Sequence, residues 1–219
     1  MDSLGASRIL GIVGAGKLGT AIARAALEVG YDVAIAGSGE AERIALIVDV
    51  LAPGARVMTS AEVVAHADII VLAVPAHRFR ELPRDLFSGK IVVDAMNYWE
   101  PIDGFNEELA HAPRGTSALV QEWFATARVV KAFNQLGYHE IDEMRRPSGD
   151  SGRIAIAVAG DDEMAVAVVS RLVDELGFDA IRVGSLKDGV ALQPDGFAFG
   201  VALTAPELAG LLWPEQKRA

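Results

Sequence analysis

The stretch Arg8-Ile9-Leu10-Gly11-Ile12-Val13-Gly14-Ala15-Gly16-Lys17-Leu18-Gly19 decides the fold. It joins an aliphatic run to an amphipathic segment through a G-x-G-x-x-G turn, the pattern that opens a dinucleotide-binding βαβ unit. Gly14 permits the tight turn, Gly16 lets the backbone approach a pyrophosphate, and Gly19 lets the helix lie close to the strand. The positive end of the helix suits the phosphates. We therefore predict a dinucleotide site, and the alternative is a glycine turn that binds no ligand.

The composition narrows the class of protein. The chain has 219 residues, of which 51% are apolar, and its formal net charge is -10. A net negative charge repels nucleic acid and anionic lipid, so we expect neither partner. With no cysteine in the sequence, disulfides, thiolate catalysis and Cys-based metal sites are excluded. No apolar run reaches the length of a membrane span and no targeting signal is recognised, so a cytoplasmic location is expected.

Aliphatic segments alternate along the chain with segments of helical periodicity. This alternation predicts an α/β fold, a doubly wound parallel Rossmann sheet with a smaller C-terminal α/β unit. Predicted strands are 8–13, 32–36, 55–58, 68–74, 90–94 and 128–132, and predicted helices are 16–29, 41–51, 60–66, 78–82 and 116–124.

A polar stretch rich in Gly, Ser and Pro, residues 145–152, is the best candidate for a linker. It divides the chain into a Rossmann domain, 1–145, and a small C-terminal unit, 146–219. In that unit we predict strands 153–159 and 179–183, a helix between them capped by Asp161, and a last helix over 206–212. These pieces either extend the first sheet or form a small lobe, and we favour the lobe.

The end of the second strand bears on the choice between NAD and NADP. NAD sites normally carry a carboxylate there, but this chain reads Gly37-Ser38-Gly39 with no acid. A small hydroxyl leaves room for a 2′-phosphate, and Arg43, one turn into the next helix, could reach it. These residues favour NADP. The alternative is that Arg43 only pairs with Glu40, whose carboxylate would also repel a phosphate.

Six motifs occur in an order that resembles the coenzyme F-420-dependent NADP oxidoreductase family. The resemblance spans roughly residues 8 to 190. One departure from the family is that its Ser-Arg phosphate clamp appears here as Ser38-Gly39, which shifts the predicted phosphate contact to Arg43. The motifs are Gly11 to Gly19, Ala36-Gly37-Ser38, Val71-Leu72-Ala73-Val74-Pro75, Val92-Val93-Asp94-Ala95-Met96-Asn97, Val129-Val130-Lys131-Ala132-Phe133-Asn134 and Val158-Ala159-Gly160-Asp161-Asp162.

The resemblance implies a set of cofactor contacts. The pyrophosphate would lie on the glycine turn and the 2′-phosphate on Ser38 and Arg43, while residues that follow three further strands would line the nicotinamide side. Val74 and Pro75 follow a strand, where open α/β sheets bind ligands, and Asn134 offers a donor and an acceptor to a carboxamide. Each of these residues also has a purely structural explanation, and His77 could be an ordinary surface residue. The full predicted set is Gly14, Ala15, Gly16, Lys17, Leu18, Ser38, Arg43, Val74, Pro75, His77, Asn97, Phe133 and Asn134.

The implied activity is direct hydride transfer between NADP(H) and a deazaflavin, coenzyme F-420. Such a transfer depends on the positioning of two rings more than on an acid or base, so no catalytic dyad and no metal are expected. Segment 192–200 is apolar and glycine-rich and either shapes the acceptor pocket or contacts a second subunit of a homodimer. Two alternatives remain: an NADPH-dependent reductase of an imine, a flavin or a metal ion, and an NADP-binding redox sensor without turnover.

Overall fold

The computed structural model describes residues 9–38 and 41–214 and places their strands in one eight-stranded sheet. Most strands are runs of Val, Ile and Ala, as expected for strands covered by helices on both faces. The strands are β1 Ile9–Val13, β2 Asp32–Ala36, β3 Arg56–Val57, β4 Ile69–Leu72, β5 Ile91–Asp94, β6 Arg128–Lys131, β7 Ala155–Gly160 and β8 Asp179–Gly184.

Nine α-helices and three 3₁₀ segments connect these strands within the described residues. None of the helices there is long and apolar enough to cross a membrane. The α-helices are α1 Lys17–Glu28, α2 Glu42–Leu51, α3 Ser60–His66, α4 Glu100–Asp103, α5 Glu107–Ala110, α6 Thr116–Trp123, α7 Tyr138–Glu143, α8 Glu163–Glu175 and α9 Ala205–Leu212, and the 3₁₀ segments are Ala76–Glu81, Arg84–Phe87 and Leu186–Leu192.

The strand order is β3-β2-β1-β4-β5-β6-β7-β8, and among the described strands only β6 and β7 pair antiparallel. The chain leaves β1 toward β2 and β3, and then returns to place β4 on the other side of β1. The carboxyl ends of β1 and β4 therefore flank a topological switch point, where open α/β sheets bind ligands. The predicted doubly wound α/β fold is confirmed.

Side chains of each strand alternate between two apolar cores, one on each face of the sheet. In β1 and β4, Ile12 and Val71 pack into the core that holds α1 and α8, whereas Val13 and Leu72 pack into the core that holds α3 and α6. Both faces of the sheet are therefore covered. The carboxyl ends of the strands are left as the place where a ligand could bind.

Local sequence signals predict some helix and strand boundaries correctly and others incorrectly. Helix α3 begins at Ser60 as predicted, because the Thr59 hydroxyl accepts from the backbone N–H of Glu62 while the Glu62 carboxylate accepts from that of Thr59. The cap of α8 is Asp162 and not Asp161: the Asp162 carboxylate accepts from the Ala165 N–H at 2.7 Å. The predicted helix 78–82 is a 3₁₀ segment. Arg8, the predicted start of β1, lies outside the described residues.

The C-terminal strands continue the main sheet, which is the first of the two arrangements open from the sequence and not the favoured lobe. Strand β7 pairs with β6, and β8 pairs in parallel with β7. Helix α8 packs into the same core as α1, and a smaller cluster around Leu192 and Leu208 covers the other face. The division at residues 145 and 146 stays a prediction about how the chain is organised into units.

Candidate functional site

Gly14 closes the turn after β1 in a conformation that other residues rarely adopt. Its φ is +128°, and its N–H donates to the carbonyl of Ala36 at 2.7 Å. A Cβ at this position would collide with the backbone of Ala73, which follows β4. Gly14 therefore brings the ends of β1, β2 and β4 together at the switch point, and this role requires glycine.

Gly16 is the N-cap residue of α1, and its surroundings are open. An added Cβ would meet no heavy atom within 4 Å, so the space in front of the helix is available to a phosphate. In the described structure, α1 has no side-chain cap and no acidic residue in its first turn. Its first N–H groups and its positive dipole end therefore remain available to an anion. Gly19 lies behind the turn, where a Cβ would collide with the Gly14 carbonyl.

The other residues of the turn contribute backbone and not side chains. Ala15 and Leu18 are half-buried and pack against the core beneath α1. The Lys17 ammonium lies 5.0 Å from the centre of the Tyr138 ring, a cation–π arrangement directed toward α7. The groups of this turn that could face an anion are therefore its backbone N–H groups.

A cleft of about 200 Å³ lies at the carboxyl ends of β1, β2 and β4. Two predicted site residues, Ser38 and Val74, line this cleft together with the end of β1. The cleft lies beside the glycine turn, at the strand ends where open α/β sheets bind ligands. The lining residues are Val13, Gly37, Ser38, Ser60, Val74, Arg78, Glu81, Leu82 and Pro83.

This cleft contains a cation that the sequence reasoning missed. Arg43 is exposed on α2 and does not line the cleft, whereas Arg78 does. Arg78 donates from Nε and Nη2 to Oε2 of Glu81, at 2.9 and 2.6 Å, and these bonds hold the pKa of the Glu81 carboxyl below its usual value. A basic residue shortly after Val74-Pro75 was the available signal. Gly39 and Glu40, which also entered the prediction, lie outside the described residues.

Asn97 and Asn134, which follow β5 and β6, are in direct contact. Asn97 Nδ2 donates to the backbone carbonyl of Asn134 at 2.8 Å, and Asn134 Nδ2 donates to Asn97 Oδ1 at 3.0 Å. Asn134 Nδ2 also donates to the carbonyl of Leu192 at 2.5 Å. The Asn134 side chain is buried, and its Oδ1 accepts no hydrogen bond within the described residues. A buried carbonyl oxygen without a donor is unusual in a folded protein.

Phe133 sets the direction of the chain just before Asn134. Its φ is +63°, which is rare for an aromatic residue, and its ring is fully buried in the core around α1. Because the ring packs into the core, the Phe133 side chain does not line either the cleft or a cavity. The buried ring holds this strained turn in place.

His77 is tied to a neighbouring segment. Its Nδ1 lies 2.8 Å from Oδ1 of Asp103, and the other oxygen of that carboxylate accepts from the Trp99 N–H at 2.8 Å. Pro75 is exposed and precedes the first 3₁₀ segment. The arrangement fastens residues 98–104 to the end of β4 through the bonds between His77 and Asp103.

A larger cavity, of about 490 Å³, lies between segment 98–116 and the turn at 193–195. It adjoins the asparagine pair, since Asn97 precedes Tyr98 and Asn134 is bonded to Leu192. Part of the segment predicted to shape an acceptor pocket, 192–200, therefore lines it. The lining residues are Tyr98, Trp99, Glu100, Pro101, Leu109, Ala110, Thr116, Gln193, Pro194 and Asp195.

Residues 9–98 match the family model described as NADP oxidoreductase, coenzyme F420-dependent. The resemblance predicted from the sequence is confirmed for this part of the chain. The match supports binding of NADP(H) by this part of the chain, as predicted.

Solved structures share the fold. The protein SMa0349 from Sinorhizobium meliloti, which has no assigned function, is 24% identical with a TM-score of 0.78, covering 90% of this chain and 95% of its own. A proposed F420-dependent NADP reductase from Arthrobacter sp. FB24 is 21% identical with a TM-score of 0.66, covering 95% and 94%. The imine reductase BcSIRED from Bacillus cereus BAG3X2 is 18% identical with a TM-score of 0.58, covering 83% and 56%.

One curated relative shares a shorter stretch. The Escherichia coli (strain K12) protein YjhV is 44% identical over 54 residues, which are 25% of this chain. The match spans about two fifths of that protein's length, 39%.

Proposed function

We propose that this protein binds NADP(H) along the carboxyl ends of β1, β2, β4, β5 and β6 and transfers a hydride to a small acceptor held in the 490 Å³ cavity. The observation that carries the proposal is the placement of the asparagine pair. Asn97 and Asn134 stand between the glycine turn at one end of the strand edge and the cavity at the other. A nicotinamide at this pair would face the acceptor.

The nucleotide half of the cofactor fits the residues that are present. The open space at Gly16 and the uncapped start of α1 accommodate the pyrophosphate. Ser38 and Arg78 line the adjoining cleft, and Arg43 lies on the helix that follows it. A 2′-phosphate would compete with Glu81 for the Arg78 guanidinium, whose planar fork matches a phosphate as well as a carboxylate. Arg43 and Arg78 are thus the two cations proposed to select NADP over NAD.

The nicotinamide half fits the asparagine pair. A carboxamide has an NH₂ group that donates and a carbonyl that accepts, and Asn134 Oδ1 is an acceptor in need of a donor. Satisfying that oxygen would remove a penalty of about 1–3 kcal/mol for an unpaired buried group. Val74 and Pro75 border the same edge from β4.

When bound, NADPH supplies a hydride from the nicotinamide ring. The contribution of this chain is to hold the ring and the acceptor at reacting distance and to keep water away, which accounts for most of the rate in such transfers. No described side chain is needed as an acid or a base for a deazaflavin acceptor.

Coenzyme F-420 is the first candidate for the acceptor, and it rests on the family resemblance. A deazaflavin ring would lie among Tyr98, Trp99 and Pro101 on one side and Pro194 on the other. We further propose that the protein is a cytoplasmic homodimer in which the C-terminal unit completes the acceptor site.

An imine is the second candidate, and the charge of the cavity favours it. Glu100 and Asp195 line the cavity, whereas none of its described lining residues is Lys or Arg. A protonated imine is a cation and would be attracted by these carboxylates, which would repel an acceptor that carries phosphate or carboxylate groups. The likeness of the fold to an imine reductase is consistent with this candidate.

The test is NADPH oxidation under anaerobic conditions with a deazaflavin, with a cyclic imine and with no acceptor. Turnover with either acceptor supports the proposal and chooses between the candidates. Binding of NADPH without turnover on any member of the panel would instead indicate a redox sensor. The Gly16→Val variant, which cannot seat the pyrophosphate, is the control for the dependence of oxidation on the proposed site.

A further inference from the structure

A salt bridge is fully buried where β5 and β6 end. Asp94 and Lys131 are the last residues of these two strands and stand opposite each other in the parallel register. Lys131 Nζ lies 3.3 Å from Asp94 Oδ2, and both residues are 0% exposed. Because neither residue is exposed to solvent, both interact only with the surrounding protein.

Three further contacts turn the pair into a clamp on the segment after β5. Asp94 Oδ1 accepts from the backbone N–H of Met96 at 3.0 Å, and Lys131 Nζ donates to the backbone carbonyl of Met96. The Ser117 hydroxyl, at the start of α6, donates to Asp94 Oδ2 at 2.6 Å. The clamp, Asp94, Lys131 and Ser117, therefore fixes the backbone N–H and the backbone carbonyl of Met96, the residue before Asn97.

Stability alone is a weak explanation for this clamp. Desolvating two charges is costly, and apolar residues of similar size often serve a core equally well or better. The strand positions directly before the pair, Val93 and Val130, are aliphatic and pack in the core without such a pair. The position of the pair beside the proposed reaction site indicates a second role.

Each member of the clamp lies next to a residue of the proposed reaction site. Asn97 is three residues beyond Asp94, and Asn134 is three residues beyond Lys131. Ser117 follows Thr116, which lines the acceptor cavity and whose N–H faces Gln193 Oε1 at 3.5 Å. The clamp thus connects the two asparagines to one wall of the cavity.

We propose that Asp94, Lys131 and Ser117 are positioning residues that align the asparagine pair with the acceptor cavity. This inference rests on the proposed function, because it assigns the nicotinamide to Asn97 and Asn134. The glycine turn and the Ser38 cleft lie outside the clamp. Loss of the clamp should therefore slow hydride transfer while leaving most of the affinity for NADPH.

Two variants test the clamp. Ser117→Ala removes one hydrogen bond and little volume, and the double variant Asp94→Asn/Lys131→Met removes both charges while keeping their approximate size. Because misplacement of reacting groups by about 1 Å can cost on the order of 100-fold, we expect single-turnover hydride transfer to fall roughly 10- to 100-fold in each. The dissociation constant for NADPH should change less than about threefold, and Ser117→Thr, which keeps the hydroxyl, should restore most of the rate.

A matched control separates positioning from general destabilisation. Arg153 is 3% exposed and pairs with two exposed carboxylates, those of Asp174 and Asp179, at 2.8 and 3.2 Å, and it does not line the cavity. Arg153→Met should lower the unfolding temperature as Ser117→Ala does or more, yet leave hydride transfer unchanged. Equal slowing of transfer in Arg153→Met and in the clamp variants would overturn the inference.

A second readout needs no acceptor. The fluorescence of the reduced nicotinamide responds to its surroundings, so bound NADPH should show a changed emission in Ser117→Ala and the parental emission in Arg153→Met. If the parent binds NADPH but reduces no acceptor, the proposed function fails, and this readout still decides the clamp. Parental emission together with parental transfer rates in both clamp variants would refute it.

Discussion

Asn97 and Asn134 are joined by a pair of hydrogen bonds, in which each side-chain amide donates to the other residue, at 2.8 and 3.0 Å. The two residues come from neighbouring strands and lie 37 positions apart in the chain. Their contact occurs at the strand edge where the proposed nicotinamide and acceptor sites meet.

Gly16→Val should abolish NADPH binding in a folded protein. The new side chain would enter the open space in front of α1, where the phosphates approach the backbone, and it would meet no protein atom near its Cβ. Titration by NADPH fluorescence measures the loss, and circular dichroism checks folding. Gly152→Val, at another exposed glycine without a positive φ, is the control and should bind normally. Parental affinity in Gly16→Val would leave the motif as a structural turn.

Arg43→Ala and Arg78→Ala should each weaken NADPH more than NADH. A charge-assisted hydrogen bond is worth about 1.5–3 kcal/mol, so the NADPH dissociation constant should rise roughly 10- to 150-fold where the cation contacts the 2′-phosphate. Arg171→Ala, on the exposed face of α8, is the control. Titration of all three variants with both cofactors shows which arginine carries the selectivity. A variant that loses equal affinity for NADPH and NADH has no role at the 2′-phosphate.

Asn134→Ala should lower both the stability of the protein and the rate of hydride transfer. The substitution leaves the Leu192 carbonyl and Asn97 Oδ1 without their donor, at a cost of about 1–3 kcal/mol for a buried unpaired group. Thermal unfolding and single-turnover kinetics measure the two effects. NADPH should protect the parent against unfolding more than it protects the variant. Equal protection of both would argue against a nicotinamide contact.

The free energy of unfolding should vary with pH in the alkaline range because Lys131 titrates there. Burial lowers the pKa of Lys131 below its usual 10.5, and the charge and hydrogen bond of Asp94 offset only part of this. The unfolded chain therefore holds this proton to a higher pH, and the free energy of unfolding gains from this group as pH rises from the folded pKa toward about 10.4.

Urea unfolding at increasing pH tests this dependence. The difference in unfolding free energy between the parent and Asp94→Asn/Lys131→Met should grow in favour of the parent as pH rises toward about 10. Taking this difference cancels the pH dependence that comes from all other titratable groups, because the two proteins share those groups. A difference that stays constant or shrinks would contradict the direction of the shift.

Local sequence signals account for much of the fold. The glycine turn, the bounds of β2 at Asp32 and Ala36 and the start of α3 at Ser60 were all predictable, because each depends on residues close together in the chain. Strand β4 ends at Leu72, earlier than predicted, although the aliphatic run continues to Val74. Hydrophobicity does not mark where pairing stops: Ala73 still donates to Val13, and the chain then turns along the ligand cleft.

Contacts between distant segments explain what the sequence did not reveal. Two adjacent acids, Asp161 and Asp162, could each cap α8, and only the folded chain shows that Asp161 instead accepts from the Leu186 N–H at 2.9 Å. Asp94 and Lys131 both end aliphatic strands, a signal that becomes informative once those strands are known to be neighbours. The placement of Arg78 in the cleft likewise becomes visible only once the ends of three strands are brought together.

The most direct test of the proposed activity follows the hydrogen itself. NADPH deuterated at the transferring position of C4 is mixed anaerobically with the protein and either a deazaflavin or a cyclic imine, and the reduced acceptor is analysed by mass spectrometry. Direct transfer predicts that the deuterium is recovered on a carbon of the reduced acceptor, with no exchange into water. Absence of NADPH oxidation with both acceptors, or oxidation that leaves the reduced acceptor without deuterium, would contradict the account.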